Sequence, residues 1–331
     1  MLDKSKPMTL GDIFSNTFDL IKETFIRNLV IASVFLIPTG IFMAYGLDAY
    51  FNMLSTITQF AKLNTAGSAS HEQLSNLFIS IVFFFFSIFV FSLGYLCALI
   101  GVTKISCSVA DGTNISIREA FGEVFSITTL RCIGQIILVM LMIIIIAIFI
   151  VLVAVVAQIG HIVWLNVFGV LLVIAGIGFI IYLILRLYFA PINIIHKHEG
   201  VIISLSRSWR IVKDIWWRTF GIIMLVTIVI GFVSALITTP ISFLFFRDFI
   251  SEYFKILLSG GSTNDPTVTL GLLKSLGFAY GLIITLSTII QIILFPLFIV
   301  VIYFDLRIRK NDFPPEIPEE HNLFSGVLTI E

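Results

Sequence analysis

Charged residues divide this sequence into long uncharged segments, and their spacing is the first guide to the fold. No Asp, Glu, Lys or Arg occurs between Arg27 and Asp48, and about 20 apolar residues are enough to cross a bilayer as an α-helix. The uncharged segment between Arg131 and Arg186 is long enough for two such helices joined by a turn. The six predicted spans are the segment from Arg27 to Asp48, Phe78–Gly101, Ile133–Ala157, Val163–Leu185, the segment from Arg218 to Arg247 and the segment from Lys274 to Asp305.

The composition agrees with this pattern. Hydrophobic residues make up 58% of the 331 residues, charged residues only 12%, and the mean hydropathy is +1.08. Because a soluble domain usually carries about 25% charged residues, a soluble globular fold is excluded. The formal net charge is zero, so no electrostatic preference for nucleic acid is expected. We therefore expect an all-α, polytopic membrane protein whose partners are membrane lipids and other membrane proteins.

A short amphipathic segment precedes the fifth predicted span. Leu205, Trp209, Val212 and Trp216 lie on one stripe of a helix with about 3.6 residues per turn. Tryptophan and arginine are typical of the boundary between bilayer and water, and Arg218 lies where the span begins. The pattern predicts a helix on the membrane surface, a turn, and then the span. The residues expected to anchor such surface helices are Phe14, Phe18, Phe25, Trp209, Trp216 and Arg218.

The amphipathic stripe recurs in two earlier parts of the chain. Its counterparts with the same spacing are Phe14, Phe18 and Phe25 near the start, and Ile117 and Phe121 in the middle. We predict three repeated units, each a surface helix followed by two spans, at about residues 1–110, 111–199 and 200–310. The alternative is convergence, because any surface helix that precedes a span needs this pattern. The units form one membrane domain, residues 1–310, and residues 311–331 form a short cytoplasmic tail.

Local signals predict how several of these helices begin and end. Thr9 with Asp12, and Ser116 with Glu119, have the spacing of capping boxes at helix starts. Residues 50–60 and 249–258 are amphipathic, and polar stretches at 65–70 and 259–266 follow them. We expect short interfacial helices followed by flexible turns in these two outer loops. The alternative is that the two loops form a docking surface on the outer side.

The basic residues are distributed unevenly between the two predicted sides of the membrane. Of the 20 Lys and Arg residues, 16 fall on the side of both termini and four on the other side. Loops that are rich in Lys and Arg stay in the cytoplasm. The distribution therefore predicts that both the N-terminus and the C-terminus are cytoplasmic.

Arg186 and Asp305 are the most informative charged residues. Each lies at the cytoplasmic end of an otherwise uncharged span, and ionisable groups in such positions are usually paired or functional. If the spans pack around a common axis, the two side chains meet as a structural ion pair. The alternatives are that each reaches separately into the headgroup layer, or that Asp305 pairs with Arg309, four residues along the same helix.

The sequence contains no recognisable catalytic or cofactor-binding motif. Walker loops, G-x-S-x-G, H-E-x-x-H and paired-cysteine metal motifs are all missing, so we expect no enzyme activity, no cofactor and no metal. His196–Glu199 is dense in potential ligands but is interpreted as a solvated cytoplasmic turn. The sequence leaves two possible roles open for the glutamines in or beside the spans, Gln135, Gln158 and Gln291. They form hydrogen bonds between spans, or they line a substrate path.

Three stretches carry a resemblance to a known family: Leu10–Phe14 followed by Pro38, Ser208–Gly221, and Tyr303–Lys310. Together they resemble the glycerophosphoryl diester phosphodiesterase membrane-domain family over most of the chain. The resemblance implies a multi-pass protein of the bacterial cytoplasmic (inner) membrane. In the enzymes after which the family is named, such a region precedes a soluble catalytic barrel. Only 21 residues follow Lys310 here, so we expect neither a barrel nor diesterase chemistry.

Three classes of function remain. The lack of motifs and the surface helices favour a non-catalytic scaffold or an accessory subunit of a membrane-associated system. A transporter or lipid-handling protein is the alternative, favoured by the repeats, by Pro38 and Pro296 as potential kinks, and by the hydroxyl-rich Thr285–Thr288. An intramembrane enzyme is a third alternative, but the sequence has no acid–base constellation to support it. The sequence does not determine the oligomeric state.

Overall fold

The structure, a computed structural model, describes residues 6–63, 71–159, 163–258 and 276–311. These residues form nine α-helices, six of which are long and apolar enough to cross a membrane. The six are α1, α2, α4, α5, α8 and α9, so the predicted all-helical fold with six spans is confirmed. The helices are α1 (Leu10–Leu63), α2 (His71–Ala110), α3 (Ile117–Val124), α4 (Ile127–Ile159), α5 (Val163–Leu187), α6 (Ala190–Lys197), α7 (Val201–Val212), α8 (Trp216–Leu258) and α9 (Gly277–Arg309).

The beginning and the end of the described chain lie at the same end of the helix bundle. The Met8 backbone amide, just before α1, donates a hydrogen bond of 2.8 Å to a carboxylate oxygen of Asp305, near the end of α9. We call this end of the bundle the basal end. Because both residues lie at the same end, the chain between them must cross the bundle an even number of times. Six spans meet this requirement.

The first predicted surface helix is not separate from its span. α1 runs without a break over 54 residues, which corresponds to about 80 Å of helix against a hydrocarbon core of about 30 Å. It continues past Asp48, where the Asn52 side-chain amide donates to the Asp48 carboxylate one turn earlier at 3.1 Å. No glycine or proline interrupts residues 48–63. On the other side of the span, α1 is already helical from Leu10 onwards, so no turn separates a surface helix from the first span and that prediction is wrong.

The outer amphipathic segments are also continuations of spans. Residues 50–60 belong to α1, and residues 249–258 belong to α8, which extends beyond Arg247 to Leu258. The separate interfacial helices that we expected there are therefore wrong, because no helix-breaking residue separates these segments from the spans. The predicted turns at 65–70 and 259–266, and His161 between α4 and α5, lie outside the described residues.

Breaks between a short helix and a span do occur later in the chain. α3 is separated from α4 at Phe125–Ser126, and α7 is separated from α8 at residues 213–215. At the first break the Ser126 hydroxyl accepts a hydrogen bond from the Thr128 amide at 3.1 Å, which caps the start of α4. Helix, break and span thus follow each other twice, whereas α1 is continuous.

Both predicted capping boxes are present. At the start of α1 the Thr9 amide donates to the Asp12 carboxylate at 2.8 Å, and the Asp12 amide donates to the Thr9 hydroxyl at 3.2 Å. At α3 the Ser116 amide donates to the Glu119 carboxylate at 2.8 Å, and the Glu119 amide donates to the Ser116 hydroxyl at 3.2 Å. Each box satisfies backbone donors that the helix leaves free.

α1 lies against α2 and α9, and its contact with α9 is very close. A Cβ atom added at Gly281 would lie 2.4 Å from the Ala44 Cα, and one added at Gly277 would lie 2.7 Å from the Asp48 Cα. Both distances are far below van der Waals contact. Lipid supplies no hydrophobic force between helices, so small residues that permit such backbone contact hold spans together.

α4 and α5 form a hairpin that stands apart from the other spans. The two helices pack on each other, and at the basal end they contact α6 and α7. Much of their apolar surface is exposed, for example at Ile145, Ile148 and Val170. The separation leaves a space between the hairpin and the spans α2, α8 and α9, and we call this space the hairpin cleft.

Candidate functional site

The hairpin cleft contains a cavity of about 310 Å³. Side chains of α2, α4, α5, α6 and α9 line it, and most of them are apolar. Tyr95 and Ile184 belong to this lining and are each 41% exposed, so the cavity can be reached from outside the protein between the spans. An apolar cavity with a few polar groups is the usual form of a small-molecule site.

Gln135 of α4 supplies the most distinctive polar group of this cavity. Its side chain is only 5% exposed, and its Oε1 atom has no hydrogen-bond partner. A buried amide oxygen without a donor is costly, and a ligand with a hydroxyl or amide group in the cavity would satisfy it. Tyr95, Thr103 and Tyr188 add hydroxyl groups to the same lining.

The other two glutamines have different positions. Gln291 of α9 lines a smaller neighbouring cavity of about 240 Å³, and its side-chain amide donates to the Ser287 hydroxyl at 3.0 Å. The side chain of Gln158 lies outside the described part of the chain. Of the glutamines whose side chains the structure describes, Gln135 is therefore the one that lines the hairpin cleft and has an unsatisfied oxygen.

Pro296 connects the two cavities, because it lines both of them together with Tyr95 and Phe295. The proline lies inside the continuous helix α9 and has no amide hydrogen, so the carbonyl of Ile292 loses its usual helical donor. Ile292 also lines the smaller cavity. The expected kink residue thus lies beside the hairpin cleft.

At the basal end, Asp305 is the centre of an ion network. Its carboxylate is fully buried and forms ion pairs with Arg218 and Arg309, and the Arg309 Nε lies 3.1 Å from it. Both guanidinium groups also donate to the Met8 backbone carbonyl, at 2.9 Å from Arg218 and 2.7 Å from Arg309. The network joins the segment before α1 to the start of α8 and the end of α9.

The predicted ion pair between Arg186 and Asp305 is wrong. α8 packs beside α9 and brings Arg218 to Asp305, whereas α5 packs mainly on α4 and keeps Arg186 away. The nearer competitor on the same helix, Arg309, does bind Asp305 as that alternative required.

Arg186 instead lies between aromatic rings. Its guanidinium carbon is 4.3 Å from the centre of the Trp209 ring and 4.9 Å from that of Tyr182. One terminal nitrogen donates to the Lys213 carbonyl at 3.4 Å, and the Nε atom is buried without a partner. Stacking of this kind holds a guanidinium group in a fixed orientation.

The predicted anchor residues have different surroundings. Phe18 and Phe25 are exposed on α1, while Phe14 is half-buried and packs edge-on against Phe298 with ring centres 5.2 Å apart. Trp216 stacks on Phe220 at 5.3 Å. Trp209 contacts Arg186, and Arg218 belongs to the Asp305 network. Exposure of the phenylalanines is compatible with contact with lipid.

A second ion network holds the short helices at the basal end. Glu123 of α3 lies 3.3 Å from the Lys104 ammonium and 3.5 Å from the His198 ring, and it accepts a hydrogen bond from Thr128. Burial raises the pKa of Glu123, but the Thr128 hydroxyl, Lys104 and His198 outweigh this effect and lower the pKa overall. Sequence reasoning missed this network, because its members are far apart in the chain.

The predicted solvated turn at His196–Glu199 takes part in these contacts. His196 pairs with Asp111, Glu199 pairs with Arg207, and Arg131 donates to the His198 carbonyl at 2.5 Å. The turn is therefore held against Asp111, which follows α2, and against α4 and α7. Across the described residues, no group of three or more His, Cys, Asp or Glu side chains comes together as a potential metal site.

Comparison with known proteins gives a family but no function. No curated protein and no solved structure matches the chain. A family model described as a domain of unknown function, DUF7847, matches residues 41–306. This match covers α2, α4, α5 and α8 in full, nearly all of α9, and the last part of α1. The chain belongs to the DUF7847 family.

Proposed function

We propose that this chain is a non-catalytic, lipid-handling membrane protein that binds a lipid molecule in the hairpin cleft. The observation that carries the proposal is the buried Gln135 Oε1, which has no partner and belongs to a residue that lines an apolar cavity of about 310 Å³. An acyl chain suits the apolar walls, and a glycerol or amide group of the same lipid suits Gln135 and the neighbouring hydroxyl groups.

The position of the cleft supports a lipid rather than a water-soluble ligand. Its exposed lining residues, Tyr95 and Ile184, lie on spans α2 and α5. A molecule that enters between spans arrives from the bilayer, where lipids are by far the most abundant candidates. A further groove of about 460 Å³ between α5 and α8 is almost wholly apolar and includes Tyr188, which offers space for additional acyl chains.

A scaffold or accessory subunit is the competing proposal, and the sequence alone favours it. A scaffold needs exposed surfaces for other membrane proteins but has no need for an internal cavity with an unsatisfied polar group. The hairpin cleft is thus the feature that favours lipid handling. Both proposals agree with a non-catalytic role in a bacterial cytoplasmic membrane, with both termini in the cytoplasm as the basic residues indicate.

We also retain the three-repeat organisation and the family resemblance as proposals. The order of short helix, break and span at α3–α4 and α7–α8 supports duplication of a unit. The first unit would then have lost its break, because α1 is continuous. Similarity to the membrane region of the glycerophosphoryl diester phosphodiesterase family rests on the three sequence stretches given above, and it agrees with a membrane domain that meets lipids.

The proposal is tested by filling the cavity. Val139→Trp places a large ring in the cavity from α4, and Gln135→Leu removes the polar group. Ile145→Trp is the matched control, because Ile145 lies on the same helix with a 66% exposed side chain. The full chain is purified in mild detergent, and bound lipid is measured by native mass spectrometry.

We expect lipid to co-purify with the wild type and with Ile145→Trp, and to be lost from Val139→Trp. Gln135→Leu should change which lipids are retained. Equal lipid content in wild type and Val139→Trp would contradict lipid binding in the cleft and would favour the scaffold.

A further inference from the structure

A separate cavity lies at the basal end, between the end of α5 and the connection from α7 to α8. Its volume is about 720 Å³, and its polar lining includes Arg186, Lys213, Asp214 and Arg218. Trp216 and Tyr182 complete one wall. None of these residues lines the cavity of the hairpin cleft, so the two sites are distinct.

Two hydrogen-bond donors in this lining are buried without an acceptor. They are the Nε of Arg186, a side chain that is only 6% exposed, and the indole Nε1 of Trp216. Unsatisfied buried donors are rare in native structures. Because a guanidinium group and an indole nitrogen can only donate hydrogen bonds, the missing partner must carry acceptor atoms.

The local charges favour an anion. Asp214, the carboxylate in the lining, pairs with Lys310, and the nearby Asp305 pairs with Arg218 and Arg309. The hydrogen bond from Lys310 and the positive charge of this lysine lower the pKa of Asp214, so the carboxylate is ionised and already has a partner. Within the described chain, no ion pair involves Arg186 or Lys213. The cavity therefore has a surplus of positive charge.

The backbone adds to this preference. α8 begins at Trp216, and the first residues of this helix line the cavity. The first amide groups of a helix have no helical acceptors. A helix start of this kind favours phosphate groups. Stacking on Trp209 and Tyr182 fixes the Arg186 guanidinium before any ligand arrives, which reduces the entropic cost of binding.

We infer that this cavity binds a phosphate group at the surface of the membrane, through Arg186, Lys213, the Trp216 indole and the start of α8. Trp217, at the edge of the cavity, is 78% exposed, and an exposed tryptophan beside basic residues is typical of the headgroup layer. The phosphate is that of an anionic lipid headgroup or of a soluble phosphate ester. The inference does not depend on lipid binding in the hairpin cleft.

The test uses the full chain in detergent and native mass spectrometry. The probes are phosphatidylglycerol, a diacylglycerol with the same acyl chains, and glycerol 3-phosphate as a soluble competitor. Three variants remove the proposed donors: Arg186→Gln, Lys213→Gln and Trp216→Phe. The controls are Lys22→Gln, which removes an exposed basic charge elsewhere, and Tyr280→Phe, which changes an exposed aromatic side chain outside this cavity. Lys213→Gln and Trp216→Phe keep the test valid if Arg186→Gln does not fold.

We expect saturable binding of phosphatidylglycerol, weak binding of diacylglycerol, and a loss of affinity of about tenfold or more in the three variants but not in the controls. Displacement by glycerol 3-phosphate would identify the phosphate ester alone as sufficient, whereas no displacement would identify the lipid as the source. Equal binding of phosphatidylglycerol and diacylglycerol, or equal effects in variants and controls, would overturn the inference.

Discussion

The Met8 backbone amide and the Asp305 carboxylate are 2.8 Å apart in this fold, although 297 positions separate them in the sequence. The contact brings the segment before α1 to the end of α9. Arg218 and Arg309 bind both partners, since each donates to the Met8 carbonyl and pairs with Asp305. A fully buried carboxylate with this set of donors is expected to carry a large share of the stability of the basal end.

A double-mutant cycle with Arg218→Met and Asp305→Leu tests this network. Removal of one partner should cost about 3–5 kcal/mol, because it leaves a buried charge uncompensated. The two changes together should cost less than the sum, with a coupling of about 1–3 kcal/mol. Unfolding in detergent is the measurement. The same cycle with Arg186→Met in place of Arg218→Met should be additive, and strong coupling there would contradict the structure.

Gly281→Ala should destabilise the bundle. The added methyl group would lie 2.4 Å from the Ala44 Cα, so α1 and α9 must move apart, at a cost of about 1–3 kcal/mol. Gly231→Ala is the matched control, because nothing lies within 4 Å of its Cβ position and alanine is the better helix former. Thermal unfolding of both variants in the same detergent gives the comparison. An equal melting temperature for the two would refute close packing of α1 on α9.

Stability should fall in acid, with Glu123 contributing to the loss. Its pKa is lowered in the folded protein relative to its usual value of 4.5, so the folded state binds the proton less readily than the unfolded state. Its contribution is complete above the unfolded pKa and is lost as the pH falls through the folded pKa.

Unfolding of wild type and Glu123→Gln, compared between about pH 6 and pH 4, should therefore converge towards the acid end. At neutral pH the variant should be less stable by about 1–3 kcal/mol, because it loses the ion pair with Lys104 and the negative charge of the oxygen to which Thr128 donates. Glu23→Gln, at an exposed position on α1, is the control and should follow the wild type. A constant difference at all pH values would argue against the network.

Both termini are expected in the cytoplasm. The basis is the distribution of Lys and Arg residues, 16 of 20 on the side of the termini. Reporter fusions at Gly67, His161 and Gly261 should indicate the outer side, and a fusion after Lys310 should indicate the cytoplasm. A cytoplasmic signal at Gly261 would refute this topology.

The exposed phenylalanines of α1 are expected at the depth of the lipid headgroups. Phe18 is 54% exposed and Phe25 is 44% exposed on the part of α1 that precedes its uncharged segment. Spin labels at these positions should be reached by relaxation agents of the membrane interface. A label at Asp19, which is exposed and charged, is the control and should respond to water-soluble agents. Full water accessibility at Phe18 and Phe25 would remove them as anchors.

The spans were predictable because bilayer thickness limits the length of uncharged segments. Asp48 nevertheless gives a wrong end for the first helix, because a charged residue in the sequence is interpreted as the end of a span. In the structure the backbone helix continues past it, and Asn52 satisfies its carboxylate. The capping boxes at Thr9 and Ser116 were predictable because they depend on neighbours three residues away.

The partners of side chains at the basal end could not be derived in the same way. Arg186 and Arg218 look alike in the sequence, because each lies at the end of an uncharged segment. Which of them reaches Asp305 depends on which helix packs beside α9. The role of Gln135 was equally hidden, because the rotation of α4 about its axis decides whether the amide faces lipid, a neighbour or the cleft.

The packing of α1 has a consequence for biosynthesis. Of the two spans that cover α1, α2 follows immediately, but α9 is translated last. At about 5–20 residues per second, the face of α1 that packs on α9 waits on the order of 10–50 s for its partner. During this interval Arg218 has already been inserted, while Asp305 has not yet been made. A ribosome that stalls before α9 therefore leaves Arg218 without the carboxylate that pairs with it in the folded chain.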